Sequence, residues 1–288
     1  MKHFVITTMY GGLLVLLSLG TVSAGSFNID EVLATKLSAC KAAPTGTPLK
    51  IGYAADFSDL GGFADKPASQ AALYFVELVN CAGGVDGSPI KLIIKNIEGN
   101  PEVTQRVGHE LMAAGVSAML GPPFPDFGEP LLQVTAGKVA TLFVASTEPM
   151  LANSKALSYL VAFDDTAQAT AAAKFALQQG WRTAVTFSAP GPYFGYNPKI
   201  FSKVFKAGGG SITADYNFVP IDDMDFSTQA NKMASAGKAP DVVYSAMLSF
   251  QSAVLRGQLD GAGVKTNYLV TDAFEATGGY FTKGVEGF

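Results

Sequence analysis

From Leu49 onward the chain alternates short apolar runs with longer amphipathic ones. Strand-like runs start at Leu49 (LKIGYAA), Ile90 (IKLIIKN), Val116 (VSAML), Ala140 (ATLFVAS), Arg182 (RTAVTFS), Ser211 (SITADYNFV), Asp241 (DVVYSAM) and Thr266 (TNYLVTD). Most lie about 25 to 30 residues apart, the length of a strand plus a crossover helix. Strands that are apolar on both faces belong to parallel sheets covered by helices. The helical stretches carry their own end signals. Residues 67–80 confine their polar side chains to a narrow stripe, which predicts a helix buried over most of its surface and stopped by Gly83-Gly84. Asn100 and Pro101 open the next helix, with Val103, Val107, Leu111 and Ala114 toward the core and His109 toward solvent. Gly208 to Gly210 ends another.

The alternation pauses once, between Ala145 and a short run at residues 159–163, before Asp164-Asp165-Thr166 caps a new helix. One sheet is expected to end there and another to begin. The predicted architecture is α/β, with two doubly wound parallel-sheet lobes at residues 48–163 and 164–288 joined by a hinge near 163–166. Residues 25–47 form an extension with a short helix-like stretch at 30–40 and a Pro/Gly/Thr linker.

The first 24 residues differ from the rest. A short positive start at Lys2 and His3 precedes an apolar core that is densest at Leu13 to Leu19, and small residues around Ser23 follow. This is the pattern of a cleaved secretory signal peptide, and the dense core is shorter than the roughly 20 residues that span a bilayer. Cleavage leaves 264 residues with 19 Lys and Arg, 24 Asp and Glu and the single histidine His109. Export meets an oxidising compartment, so Cys40 and Cys81 are candidates for one disulfide, the alternative being two buried thiols. No later segment is apolar enough for stable membrane insertion.

Composition narrows the chemistry. With 48% apolar and 15% charged residues the chain has a sizeable core, and a net charge of -4 offers no surplus of Lys and Arg for nucleic acid. Two His and two Cys leave little for metal sites or histidine-dependent nucleophiles. The sequence also lacks a phosphate-cradling G-x-x-x-x-G-K-[ST] loop, a dinucleotide G-x-G-x-x-G, a G-x-S-x-G elbow and a C-x-x-C. No cofactor or metal is expected. Small polar and aromatic residues gather instead after the predicted strands, at 56–63, 122–126, Ser146-Thr147, Tyr193 with Tyr196, 247–249 and Asp272. Ligands of open parallel sheets bind at that edge.

The stretch LKIGYAADFSDLGGFADKPASQAALYFVELVNCAGGVDGSPIKLIIKNIEGNPE resembles the opening of the periplasmic solute-binding proteins of branched-chain amino acid ABC transporters. The resemblance continues through VSAMLGP, the STEP turn, the PYFG loop, DFSTQANKM and DVVYSAM, and so covers about residues 48–288. It implies the type I periplasmic binding fold, a small ligand captured between the lobes, hinge closure on capture and an ABC permease as partner. The positions matching the carboxylate grip are Phe124, Pro125 and Asp126, with Ala145, Ser146 and Thr147. Asp272 matches the acidic partner of the ligand ammonium, and Phe63 and Tyr193 the covering aromatics. Two departures stand out. Pro122-Pro123-Phe124-Pro125 replaces serines whose N–H groups the family uses, and proline donates none. Leu248 stands near a position that is usually polar. The family's chain returns to its first lobe after a run resembling KGVEGF, so a fragment or a shortened protein is expected. A receptor ectodomain with the same lobes is the alternative. An exported enzyme using Asp272 or Asp126 is a third reading, without a visible orienting partner.

Overall fold

The structure is a computed structural model that describes residues 27–277. The expected signal peptide at 1–24 and the KGVEGF run at 283–288 lie outside the described residues.

Nine strands form two all-parallel sheets among the described residues. The first contains β1 (Leu49–Ala55), β2 (Ile90–Asn96), β3 (Ala118–Gly121), β4 (Ala140–Phe143) and β5 (Ser158–Leu160), ordered β2-β1-β3-β4-β5. The second contains β6 (Thr183–Ser188), β7 (Ser211–Asn217), β8 (Val242–Ser245) and β9 (Asn267–Val270), ordered β7-β6-β8-β9. In both, the chain starts near the middle, moves to one edge, then crosses back to the other side. That reversal is the doubly wound arrangement, and it opens a crevice at the carboxyl ends of the strands.

The predicted runs at Leu49 and Ile90 coincide with β1 and β2 and pair in register, Leu49 with Ile90 through Ala55 with Asn96. The three-residue β5 was not expected as a strand. It sits at the sheet edge with only Ser158 buried, too short to show a period. Asp241 sets the start of the second sheet: its Oδ2 accepts from the N–H groups of Arg182 and Thr183 and from Thr183 Oγ1, at 2.8–2.9 Å.

The helices cover both sheets. They are α1 (Ile29–Leu33), α2 (Gly62–Cys81), α3 (Pro101–Ala113), α4 (Pro125–Thr135), α5 (Asp165–Gln178), α6 (Pro192–Ala207), α7 (Ser227–Ser235) and α8 (Ser249–Gly261). Asn100 caps α3 as expected, accepting from the N–H groups of Glu102 and Val103. Val107 and Leu111 of α3 pack with Met119, Phe127 and Leu131, and His109 faces solvent. Gly108 lets α3 approach α4, since a Cβ there would lie 3.1 Å from Leu131 Cδ1. In the second lobe Phe201 and Phe205 of α6 pack with Tyr244 of β8, and Phe187 and Phe226 fill the other face.

Two helical expectations need correction. Helix α2 starts at Gly62, five residues before Pro67, and its surface is not mostly buried: Leu73 and Tyr74 are 44% and 56% exposed among the described residues. The helix-like stretch at 30–40 is two pieces, α1 and a 3-10 turn at Leu37–Ala39, separated where Lys36 turns extended. The structure bridges Cys40 to Cys81, with Cα atoms 4.5 Å apart, and Val32 of α1 packs on Leu78 and Val79.

Candidate ligand-binding site

Helix α4 contacts α6, and α2 contacts the 3-10 helix Asp272–Thr277. These elements follow β3, β6, β1 and β9 in the chain, so the contacts bring the carboxyl-end sides of the two sheets together at the candidate cleft.

On the first-lobe side, the loop after β1 is held from below. Asn96 Oδ1 accepts from the N–H groups of Phe57 and Glu98, and Asp56 Oδ1 accepts from Ser58 N–H. Beneath it Asp65 is buried, accepting from Tyr53 Oη and Asp56 N–H, each at 2.6 Å. Burial pushes the Asp65 carboxyl up to about 6; the two hydrogen bonds oppose this and the Asp56 charge adds to it. Phe63, in the first turn of α2, is 39% exposed, and its ring lies 6.2 Å from that of Phe124. These two aromatics form an apolar wall.

The proline-rich loop after β3 has few amides to offer. Pro122 and Pro123 are buried, and Phe124 precedes Pro125 at the first position of α4. The N–H groups of Phe127 and Gly128 are used by Phe124 O. The N–H groups of Phe124 and of the exposed Asp126 are left without a partner among the described residues.

The turn after β4, matched in sequence to the carboxylate grip, is tied to the start of α5. Ala145 is exposed and Ser146 is buried, its Oγ without a partner among the described residues. Thr147 Oγ1 donates to Asp165 Oδ1 at 2.7 Å, while Thr147 O accepts from Asp165 N–H at 2.9 Å. This double clip joins the first lobe to the start of α5. Asp165 is fully buried, and burial pushes its carboxyl up to about 6. The bonds from Thr147 and Asn197 oppose the shift, and the charges of Asp272 and Glu148 reinforce it. Burial raises the Glu148 carboxyl as well.

On the second-lobe side Asp272 is the centre of a polar cluster. Its Oδ1 accepts from Gln168 Nε2 at 2.9 Å and from Tyr193 Oη, and its N–H donates to Gln168 Oε1 at 2.7 Å. Tyr193 Oη is also hydrogen-bonded to Thr271 Oγ1 at 2.7 Å and accepts from Ala273 N–H at 3.1 Å. Burial and the adjacent carboxylate hold its phenol far above the ordinary value, so it stays a donor. Tyr193 thus supports Asp272 through its hydroxyl. Tyr196 Oη pairs with Thr166 Oγ1 at 2.9 Å, beside the expected hinge. Leu248 is half-buried and precedes α8, followed by the buried Ser249.

Sequence reasoning missed Gln168, Asp165, Asn197 and Thr271. Asp165 was read only as part of a helix cap, and Gln168 looks like any polar residue of a helix. Two open hollows on the second lobe, one beside Asp241 and Arg256 and one beside Lys199 and Asp215, lie away from the cleft. Among the described residues there is no group of three or more His, Cys, Asp or Glu able to hold a metal, and no helix long and apolar enough to cross a membrane.

A profile of periplasmic binding proteins matches residues 48–284. The chain belongs to that family. Solved periplasmic binding proteins share its fold. The substrate-binding protein LivJ of Streptococcus pneumoniae, in complex with isoleucine, is 22% identical with a TM-score of 0.68; the match covers 79% of this chain and 65% of that one. A solute-binding protein of an ABC transporter from Rhodopseudomonas palustris BisB5, in complex with 3,4-dihydroxybenzoic acid, is 20% identical with a TM-score of 0.62, over 77% and 61% of the two chains. The leucine-binding protein LivK of Thermotoga maritima is 19% identical with a TM-score of 0.65, over 81% and 67%. At these identities the likeness establishes the fold of this periplasmic binding protein, and it spans 61% to 67% of the length of these relatives. No curated protein matches it by sequence.

Proposed function

We propose that this chain is the periplasmic substrate-binding component of an ABC importer, which captures an amino acid or a related small carboxylate or amide between its lobes and delivers it to a membrane permease. Residues 1–24 direct export, residues 48–163 and 164–288 are the lobes, and 163–166 are the hinge. The chain binds its ligand without transforming it.

The observation that carries the reading is the Asp272 carboxylate at the cleft. One oxygen is saturated by its own lobe, and Oδ2 takes no hydrogen bond among the described residues. A ligand ammonium fits that oxygen, and the Phe63–Phe124 pair on the first lobe suits an apolar side chain. The solved relatives bound to isoleucine and to a dihydroxybenzoic acid support a small carboxylic acid as the ligand class.

Titration calorimetry of the chain against L-amino acids, their amides and small aromatic acids tests this. Asp272→Asn should weaken binding of the best amine-bearing ligand by about tenfold or more. Unchanged affinity would remove Asp272 from the site. Absence of binding to all three classes would overturn the function.

A further inference from the structure

A carboxylate at the end of a strand ordinarily turns freely and presents either oxygen. Asp272 does not, because the carboxamide of Gln168 closes a two-point ring on it: Nε2 donates to Oδ1 at 2.9 Å and Oε1 accepts from the Asp272 N–H at 2.7 Å. Gln168 lies 104 residues earlier, one turn into α5, just past the Thr147–Asp165 clip. The ring occupies both ends of its amide, and no other side-chain hydrogen bond of Gln168 is present among the described residues. Tyr193 Oη supplies the second donor to Oδ1. With both donors on one oxygen, Oδ2 is left as an acceptor of fixed direction.

We infer that Gln168 is the positioning residue that sets the charge class of the ligand: by clamping Asp272 it aims Oδ2 at a protonated amine and gives amine-bearing ligands their advantage over amine-free acids. The inference rests on the binding function proposed above. Without the clamp the side chain must be ordered when the ligand binds. That ordering cost falls only on ligands that use Oδ2 and corresponds to about three- to tenfold in affinity. An amine-free acid makes no contact there and escapes it.

The test uses Gln168→Met, which keeps the shape and removes both hydrogen bonds. Affinities are measured by calorimetry for the tightest-binding L-amino acid and for the same molecule without its amine, for example leucine and 4-methylpentanoate. The expected result is a three- to tenfold loss for the amino acid with the amine-free acid unchanged. Equal losses for both, or no loss for either, overturn the inference while leaving the importer reading intact, as does a wild-type chain that binds only amine-free acids. A wild-type chain that binds none of the probes overturns the function and the inference with it. If Gln168→Met fails to fold, judged by its thermal transition, Tyr193→Phe removes the other donor to Oδ1 with little change of volume, and the same narrowing of the ratio is expected.

Discussion

Replacing Asp165 by asparagine should flatten the pH dependence of this protein's stability. Asp165 is fully buried, and its carboxyl is pushed from 3.8 to about 6. The native state therefore holds this proton more tightly than the unfolded chain does. The contribution to stability is fully present below about pH 4 and is lost as the pH rises to about 6, where the native group must ionise in place. A shift of about two units at about 1.4 kcal/mol each makes the loss about 3 kcal/mol. Asparagine has no charge to bury, and its carbonyl can still accept from Thr147 Oγ1. Asp65, also raised to about 6, remains in the variant and retains its own share of the slope. Urea unfolding of both proteins at several pH values between about 4 and about 7 measures the difference. The variant should lose about 2 to 3 kcal/mol less than the wild type across that window. Parallel curves for the two proteins would refute the account of Asp165 as a proton-holding group.

Two further outcomes follow from packing and connectivity. The Cys40–Cys81 bridge closes a loop with a sequence separation of 41, so Cys40→Ser with Cys81→Ser should cost about 4 kcal/mol in chemical denaturation, and reductant should no longer shift the midpoint. Gly121 is buried where an added Cβ would overlap the Phe143 ring, so Gly121→Ala should cost about 1 to 3 kcal/mol, and an unchanged thermal transition would contradict that packing.

Much of the fold was legible because its signals are local. The runs LKIGYAA and IKLIIKN announce β1 and β2 by their density of apolar residues, and Asn100-Pro101 announces α3 by cap chemistry that acts within one turn. Short edge structure was not legible: β5 has three residues and one buried side chain, too few for any period to appear. The exposure of Leu73 and Tyr74 was equally hidden, since a helix pattern states which residues are apolar and says nothing about which neighbours are present to cover them.

The candidate site divides along the same line. Sequence alone supplied the two-sheet α/β class, and it pointed to the strand ends as the expected place for a ligand, with Phe63, Phe124, Tyr193 and Asp272 as residues at those ends. It also brought Cys40 and Cys81 forward as partners. Tertiary structure decided what those residues do: Thr147 and Asp165 clip the lobes together, and Tyr193 supports Asp272. Gln168 reaches Asp272 across 104 positions. Strand and cap signals arise from interactions within a few residues, so they are written in the order of the chain. A hydrogen bond between side chains on different strands and helices depends on where crossovers deliver them, and only the folded arrangement sets that.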